Sequence, residues 1–504
     1  MNIWIVTTGS SDVQLKSDES WHDWYDRSSV KRNCENLPFK PIQILEDSDE
    51  PYRISPRVLG KVYEAQPEEV WQYLEFPLLR QFTTQLQGNK VTKVYLLVTD
   101  QTEKFNEERE DRRCPYWQDT CELQPILERY FKEQDEFRDV ELIPIYLSPE
   151  KNKPGLDDWN HVLGIVRTAF SEEIKLEPDT VYVSHQAGTP AISSAVQFMS
   201  LARFGERVKF LVSNEYEKKP LDPIDSSEYL KGIKFEQAKA LLSNHDYAGV
   251  ELLVKDYLDF ETQILLDAAI QWNFAKFDDF AKMVLQHPDG NLVEKVNDRT
   301  KKENWWWTAY EEGYLAVVRL DQKNTVEAMF HSFRAVEGLI REWAVWKYQP
   351  QIRDSNPNQP RTLYFHDENI NMSTQLRYWF DRFFNKNHSN VGLFGEPLFE
   401  LLKASLSPGR WHNNSDIKTV AKITKEERNS IFHQLRGLRE PELFAAWDTD
   451  HAEDWEKRVL SCLIFISEQD PDFDLSRELP LKEVSLISHV HKELKNAIAP
   501  NNFP

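Results

Sequence analysis

Within the first 225 or so residues, five apolar runs are short and nearly continuous: Ile3–Val6, Val94–Val98, Leu142–Tyr146, Val181–Val183 and Val208–Val212. Each is too short for a core helix and too uniformly apolar for a strand with one wet face. Such runs suit strands buried on both faces of a parallel sheet. Helix-period segments lie between them: Val70–Leu86, Cys121–Phe131, Trp159–Phe170 and Pro190–Phe204. The alternation predicts an open, Rossmann-like α/β sheet. Residues 16–60 interrupt it, are polar and rich in Pro and Asp, and read as an inserted hairpin or loop.

Ligands on such sheets bind beyond the carboxyl ends of the strands. Here those ends read Thr7-Thr8-Gly9-Ser10-Ser11-Asp12, Thr99-Asp100-Gln101, Ser184-His185-Gln186-Ala187-Gly188-Thr189-Pro190 and, at the rim, Ser213-Asn214-Glu215. In the third, Gly188 lets a ligand approach the backbone, Thr189 can cap a helix and Pro190 fits its first position. A helix that begins this way offers free N–H groups and a positive dipole end to a phosphate. Taken singly, Ser, Thr and Gly are also the ordinary residues of caps and turns. Two hydroxyl- and Gly-bearing loops at one sheet edge favour a phosphate pocket. The sequence has no GxGxxG and no Walker A lysine, which weakens dinucleotide and ATPase readings.

From about residue 226 the pattern is helical: Phe235–Leu242, Gly249–Leu258, Thr262–Trp272, Phe277–Leu285 and Trp306–Val318. Trp305-Trp306-Trp307 reads as packing at a domain junction. A last helical domain begins near 321, with a first helix near Val326–Trp346. Phe330, Phe333, Val336, Ile340 and Trp343 form its apolar stripe. Glu337 lies in that stripe and needs a partner, because burying a lone carboxylate is costly. Residues 348–371 and 405–418 read as loops.

An Arg shortly before a His recurs at Arg361–His366, Arg382–His388 and Arg428–His433. The last pair has the best context. Thr424 and Glu427 read as a capping box that starts a helix. Ile431, Phe432, Leu435 and Leu438 make an apolar stripe, and Asn429 and His433 share a face. Arg428 falls at the margin of the stripe, which points it into a polar site with Glu337 as neighbour. A structural Arg–Glu pair beside a solvated His is the alternative.

The cysteines, Cys34, Cys114, Cys121 and Cys462, are too scattered for a zinc site or a disulfide framework. Arg, Asn and His without metal ligands suit RNA cleavage by its own 2′-hydroxyl: His moves protons near neutrality and Arg matches phosphate oxygens. One His per chain is few for both acid and base, and a twofold pair of protomers would supply the second. The net charge of −22 argues against wrapping duplex DNA. No apolar run reaches the roughly 18 residues of a membrane span. The chain opens on a strand without a basic, apolar leader, so a cytoplasmic protein is expected.

With these residues the chain resembles the CARF–HEPN ribonucleases, accessory effectors of type III CRISPR defence. Arg428-Asn429-Ser430-Ile431-Phe432-His433 looks like the HEPN motif, and Phe333-Arg334-Ala335-Val336-Glu337-Gly338 like the helix before it. Thr7-Thr8-Gly9-Ser10 and Gly188-Thr189-Pro190 look like CARF ligand loops. The resemblance implies an α/β Rossmann-like CARF domain over 1–225, an all-α linker over 226–320 and an all-α HEPN domain over 321–504. It implies a homodimer, switched on by a cyclic oligoadenylate, that cleaves single-stranded RNA without a metal or other cofactor. Arg428, Asn429, His433 and Glu337 would then be catalytic. Thr7, Thr8, Gly9, Ser10, Ser11, Thr99, Asp100, Gln186, Gly188, Thr189, Pro190 and Asn214 would hold the activator. Self-limiting cleavage of that activator would draw on the hydroxyls of Thr7, Thr8 and Ser10. Ala187 departs from the family by standing where many relatives carry a first glycine, and the 16–60 insertion could gate the pocket. The competing reading is a non-catalytic sensor whose helical domain docks a partner upon binding nucleotide.

Overall fold

The computed structural model describes the chain except for residues 34–38, 44–50, 176, 214–221, 355–362, 367–372, 385–389, 427–436, 476–478 and 499–504. The chain divides into two units, Met1–Lys231 and Gly232–Pro504.

In the first unit the Asn2–Thr7 strand alternates its side chains between two apolar layers. Trp4 and Val6 enter one core with Phe82, Val94, Leu96 and Phe131. Ile3 and Ile5 enter the other with Tyr95, Leu97, Phe170, Val181 and Val183. This period of two on a strand covered on both faces explains its uninterrupted apolar sequence. Both edges of the strand are paired in parallel, with Val91–Thr99 and with Thr180–Ser184. The full sheet order is Ile224–Asp225, Val208–Phe210, Thr180–Ser184, Asn2–Thr7, Val91–Thr99, Glu141–Leu147, and only the Ile224–Asp225 edge is antiparallel. Helices Trp159–Glu173 and Pro190–Phe204 cover one face. Pro56–Ala65, Pro77–Gln85 and Gln124–Glu133 cover the other.

Two expectations need correction here. The described part of 16–60 includes the expected antiparallel strand pair, Ile42–Gln43 with Tyr52–Arg53, but is more than a hairpin or loop. It holds helices Trp21–Arg27 and Ser29–Asn33, and strands Ile42–Gln43 and Tyr52–Arg53, which join Gln14–Leu15 and Leu74–Glu75 in a small antiparallel sheet. Trp21, Trp24 and Tyr25, at helical spacing, bury this subdomain against the main core. Nor is Val70–Leu86 one helix. Pro67–Trp71 and Pro77–Gln85 flank the Leu74–Glu75 strand, and Pro77 cannot donate to a preceding turn, so it begins a new helix.

The second unit is helical around one core that runs from Phe235 to Ile498. Trp307–Asp321 and the long Thr325–Tyr348 helix pack together at its centre, with Ala452–Ser467 against both. Phe333, Val336, Ile340 and Trp343 are buried as expected, whereas Phe330 is 45% exposed and leaves the stripe. The tryptophan run packs within this unit: Trp305 stacks on Trp346 and Trp306 meets Phe473 edge-on. The stretches read as loops contain more structure than expected. Leu363–Phe365 pairs with Ile352–Asp354 on one side and Val391–Gly392 on the other in a small antiparallel sheet, and 405–418 carries helix Pro408–His412 and the start of helix Ser415–Glu426. Thr424 therefore lies inside a helix rather than at its cap. The real cap is one segment earlier, where Asn414 Oδ1 accepts the Ile417 N–H at 3.0 Å.

Gly60 shows how tightly the inserted subdomain is seated. A Cβ there would lie 2.1 Å from the Glu122 carbonyl oxygen, a backbone atom that cannot swing away. Gly60→Ala should therefore destabilise the first unit by about 1–3 kcal/mol, read as a lowered denaturant midpoint; an unchanged midpoint would mean the helix shifts freely.

Candidate functional site

The central strand ends at Thr7, and the chain turns through Gly9–Asp12. Asp12 closes the turn: its N–H donates to the Gly9 carbonyl at 3.2 Å and its carboxylate accepts the Gly9 N–H at 2.7 Å. Gly9 has no room for a side chain, since a Cβ would lie 2.0 Å from the Ala187 carbonyl oxygen. The first and third sequence-predicted loops thus meet backbone to backbone. They do so where the connections after two neighbouring strands go to opposite faces of the sheet, the one after Thr7 to one apolar layer and the one after Ser184 to the other, the usual ligand crevice of doubly wound folds.

The third loop leads into the 15-residue helix Pro190–Phe204. Thr189 caps it, accepting the Ile192 N–H at 3.3 Å and donating to the Leu156 carbonyl at 3.0 Å. Gln186 braces the neighbouring strand end through both amide atoms, 3.0 Å to the Ser213 carbonyl and 2.7 Å from the Ser213 N–H. His185 Nδ1 lies 2.8 Å from Ser193 Oγ, and burial lowers its pKa so that the ring stays neutral near pH 7. Ser10, Ser11 and Gly188 are half-buried at this edge.

The expected role of the threonine hydroxyls changes. Thr7 donates to the Ser184 carbonyl at 3.3 Å, and Thr8 Oγ1 lies 2.8 Å from the Leu97 carbonyl and 2.7 Å from Thr120 Oγ1. Both are buried. They tie strand ends together rather than face a ligand. Thr99 is used in the same way, exchanging hydrogen bonds with Thr120.

Asp100 is held by a group the sequence reading missed. Arg57, buried in the Pro56–Ala65 helix, reaches Asp100 at 2.8 Å, Asp119 at 2.9 Å and the Tyr116 carbonyl at 2.7 Å, with its guanidinium 4.0 Å from the Tyr116 ring centroid. Burial works to raise the Asp100 pKa, but bonds from Thr102 and Arg57 outweigh it and lower the value. At Asp119 burial wins and raises it. The available signal was an arginine inside the apolar stretch Pro56-Arg57-Val58-Leu59, a position that calls for buried acids.

Asn214, Arg428, Asn429 and His433 lie outside the described residues, and so does the expected meeting of Glu337 with Arg428. Glu337 itself is half-buried, and its Oε1 accepts the Gly395 N–H at 2.9 Å, at the start of helix Glu396–Ser405. Among the described residues no cluster of three or more His, Cys, Asp or Glu side chains could hold a metal, and no helix is long and apolar enough to cross a membrane.

No protein-family model and no curated protein matches the sequence. Among solved structures the chain is similar to Enterococcus italicus Csm6 bound to cyclic hexa-2′-fluoro-hexa-dAMP. The likeness covers 99% of this chain and 100% of that one, at a TM-score of 0.56 and 12% identity. The fold class is therefore the one expected, a Rossmann-like α/β domain followed by helical structure. The fold thus agrees with the architecture that the resemblance implies.

Asp12 sets a pH dependence at this edge. Burial pushes its carboxyl up to about 7, against the lowering effect of the Gly9 N–H, from an ordinary value of 3.8. Between those values the folded state binds the proton more tightly than the unfolded chain, so stability falls as pH rises through the window. Asp12→Asn should remove that component, on the order of a few kcal/mol. Thermal unfolding of both proteins from pH 4.5 to 8 checks it; parallel pH profiles would count against the assignment.

Proposed function

We propose that this chain is a type III CRISPR-associated ribonuclease. Its Rossmann-like domain senses a cyclic oligoadenylate and its helical domain cleaves single-stranded RNA without a metal. The observation that carries this reading is the full-length fold likeness to a Csm6 solved with a cyclic oligonucleotide. The junction of Gly9 with Ala187 at the expected ligand edge supports it.

In this reading the CARF part spans 1–225, the linker 226–320 and the HEPN part 321–504. Gly9, Ser10, Ser11, Gln186, Gly188 and the N-terminal end of the helix that Thr189 and Pro190 open receive the activator's phosphates and riboses, with Asn214 at the rim. Thr7, Thr8 and Thr99 hold the loops in register, and Arg57 fixes Asp100. With the Thr7 and Thr8 hydroxyls committed to the fold, Ser10 is the hydroxyl left for self-limiting cleavage of the activator. In the helical domain Arg428 neutralises the charge that develops on the scissile phosphate, Asn429 orients it, His433 transfers protons and Glu337 supports the arginine. Two protomers, each giving one such helix, supply acid and base. Such an enzyme works in the cytoplasm and touches few nucleotides, in keeping with a net charge of −22.

The test is RNA cleavage by purified protein in EDTA, with and without cyclic tetra- and hexa-adenylate. Cleavage should require an activator. Arg428→Ala and His433→Ala should each lower the rate by roughly 10²- to 10⁴-fold while activator binding persists. Cleavage that survives both substitutions, or that EDTA abolishes, would sink the reading.

A further inference from the structure

A cavity in the helical unit is lined by residues other than those assigned above. It has a volume of about 460 Å³ and is bounded by helices Thr374–Phe383, Glu396–Ser405 and Pro408–His412. That volume falls in the range of small-ligand sites. Its floor is anchored: Trp379 is buried and donates through Nε1 to the Pro397 carbonyl at 2.8 Å, and Trp411 is buried beside it. Tyr378 stands at the rim, 71% exposed, with Phe383 half-buried nearby. The charged and titratable lining is Arg382, Lys403, His412 and Glu400.

The cations are not spent on the cavity floor. Arg382 reaches Glu396 at 3.1 Å and Lys403 reaches Glu400 at 3.3 Å, both as partly exposed pairs. Exposed pairs of this kind are worth little and exchange readily for another anion. Arg410 adds a positive charge on Pro408–His412, one of the bounding helices. On a chain with a net charge of −22, a pocket that joins exposed aromatic faces to such cations is a local reversal. Aromatic faces accept any base, and lysine and arginine accept its phosphate.

We infer that this cavity is a subsite for one nucleotide of single-stranded RNA, its base stacked on Tyr378 and its phosphate held by Arg382 and Lys403. The inference rests on the ribonuclease reading for the identity of the polymer and adds, in residues other than those of the cleavage motif, where the substrate is gripped. A peptide would match the apolar floor but would leave the cations without a purpose.

The experiment measures fluorescence anisotropy of a labelled 2′-O-methyl oligoribonucleotide of about 12 nucleotides with the full-length protein. The 2′-O-methyl group blocks self-cleavage, so binding is read alone. Tyr378→Ala and Arg382→Gln should each weaken binding roughly tenfold, the scale of one lost stacking or phosphate contact. Tyr378 is exposed, so its variant should keep the wild-type Tm. Absence of wild-type binding, or undiminished binding in both folded variants, would overturn the subsite; the latter is also the outcome if the cavity takes a peptide. Binding that depends on these residues in a protein that cleaves no RNA would leave the subsite standing and remove the ribonuclease reading. Activated cleavage with an unchanged KM for long RNA in both variants would remove the subsite alone.

Discussion

The Asn2–Thr7 strand is sealed on four sides, and the geometry of the proposed ligand edge follows from that. Its two faces enter separate apolar cores and its two edges pair with Val91–Thr99 and Thr180–Ser184. A slip of one residue would exchange Trp4 and Val6 with Ile3 and Ile5, placing an indole in the layer shaped for isoleucine. Register is therefore fixed, with Val6 opposite both Leu96 and Ser184. The chain leaves the sheet at one height, and Gly9 meets the Ala187 carbonyl there because nothing larger fits. The hydroxyls of Thr7 and Thr8, bonded to the Ser184 and Leu97 carbonyls, lock the same junction from below.

The main sheet was legible because a strand covered on both faces leaves an unbroken apolar word, and the helix at Pro190 because Thr-Pro is a strong start signal. What the sequence hid follows from two physical ambiguities. The 16–60 segment buries Trp21, Trp24, Tyr25 and Val30 among many charges, and its strands are only two residues long. Short elements of that kind have too few residues to display a period. The second ambiguity is that helix caps and loops share a composition. Ser407-Pro408 and Asn414-Ser415 look like loop residues, yet each opens a helix. Conversely Thr424-x-x-Glu427 has the form of a capping box while Thr424 continues a helix that began at Ser415.

Polar residues at the ligand edge teach the same lesson in another form. Sequence assigns a hydroxyl to a loop but not the direction in which it points. A buried hydroxyl or carboxylate is driven to a partner by the cost of desolvation, and partners inside the fold compete with a ligand. Thr7, Thr8 and Thr99 were captured by the fold; Ser10 and Ser11 were not buried. Asp100 is shared, since Arg57 takes one side of it while the residue remains half-exposed. Arg57 belongs to the helix that ends the insertion, so the segment that interrupts the Rossmann pattern also sets one of the loops proposed to bind the activator.

In the helical unit the rotation of the long Thr325–Tyr348 helix is fixed by adjacent buried acids. Glu311 accepts from Trp272 Nε1 at 2.8 Å and from the Leu486 N–H at 2.7 Å, while Glu312 lies 2.7 Å from His331 Nδ1 on the long helix. Consecutive residues of a helix face about 100° apart, so the pair ties Trp307–Asp321 to two different neighbours at once. With His331 held, Phe333, Val336, Ile340 and Trp343 turn inward and Glu337 is brought to the Gly395 N–H. The helix that follows Gly395 carries Glu400 and Lys403 into the aromatic cavity. Residues 396 and 403 are separated by about 10 Å along that helix. A single rigid element thus spans from the proposed catalytic carboxylate to the proposed nucleotide subsite, over a distance that a short stretch of RNA backbone can bridge.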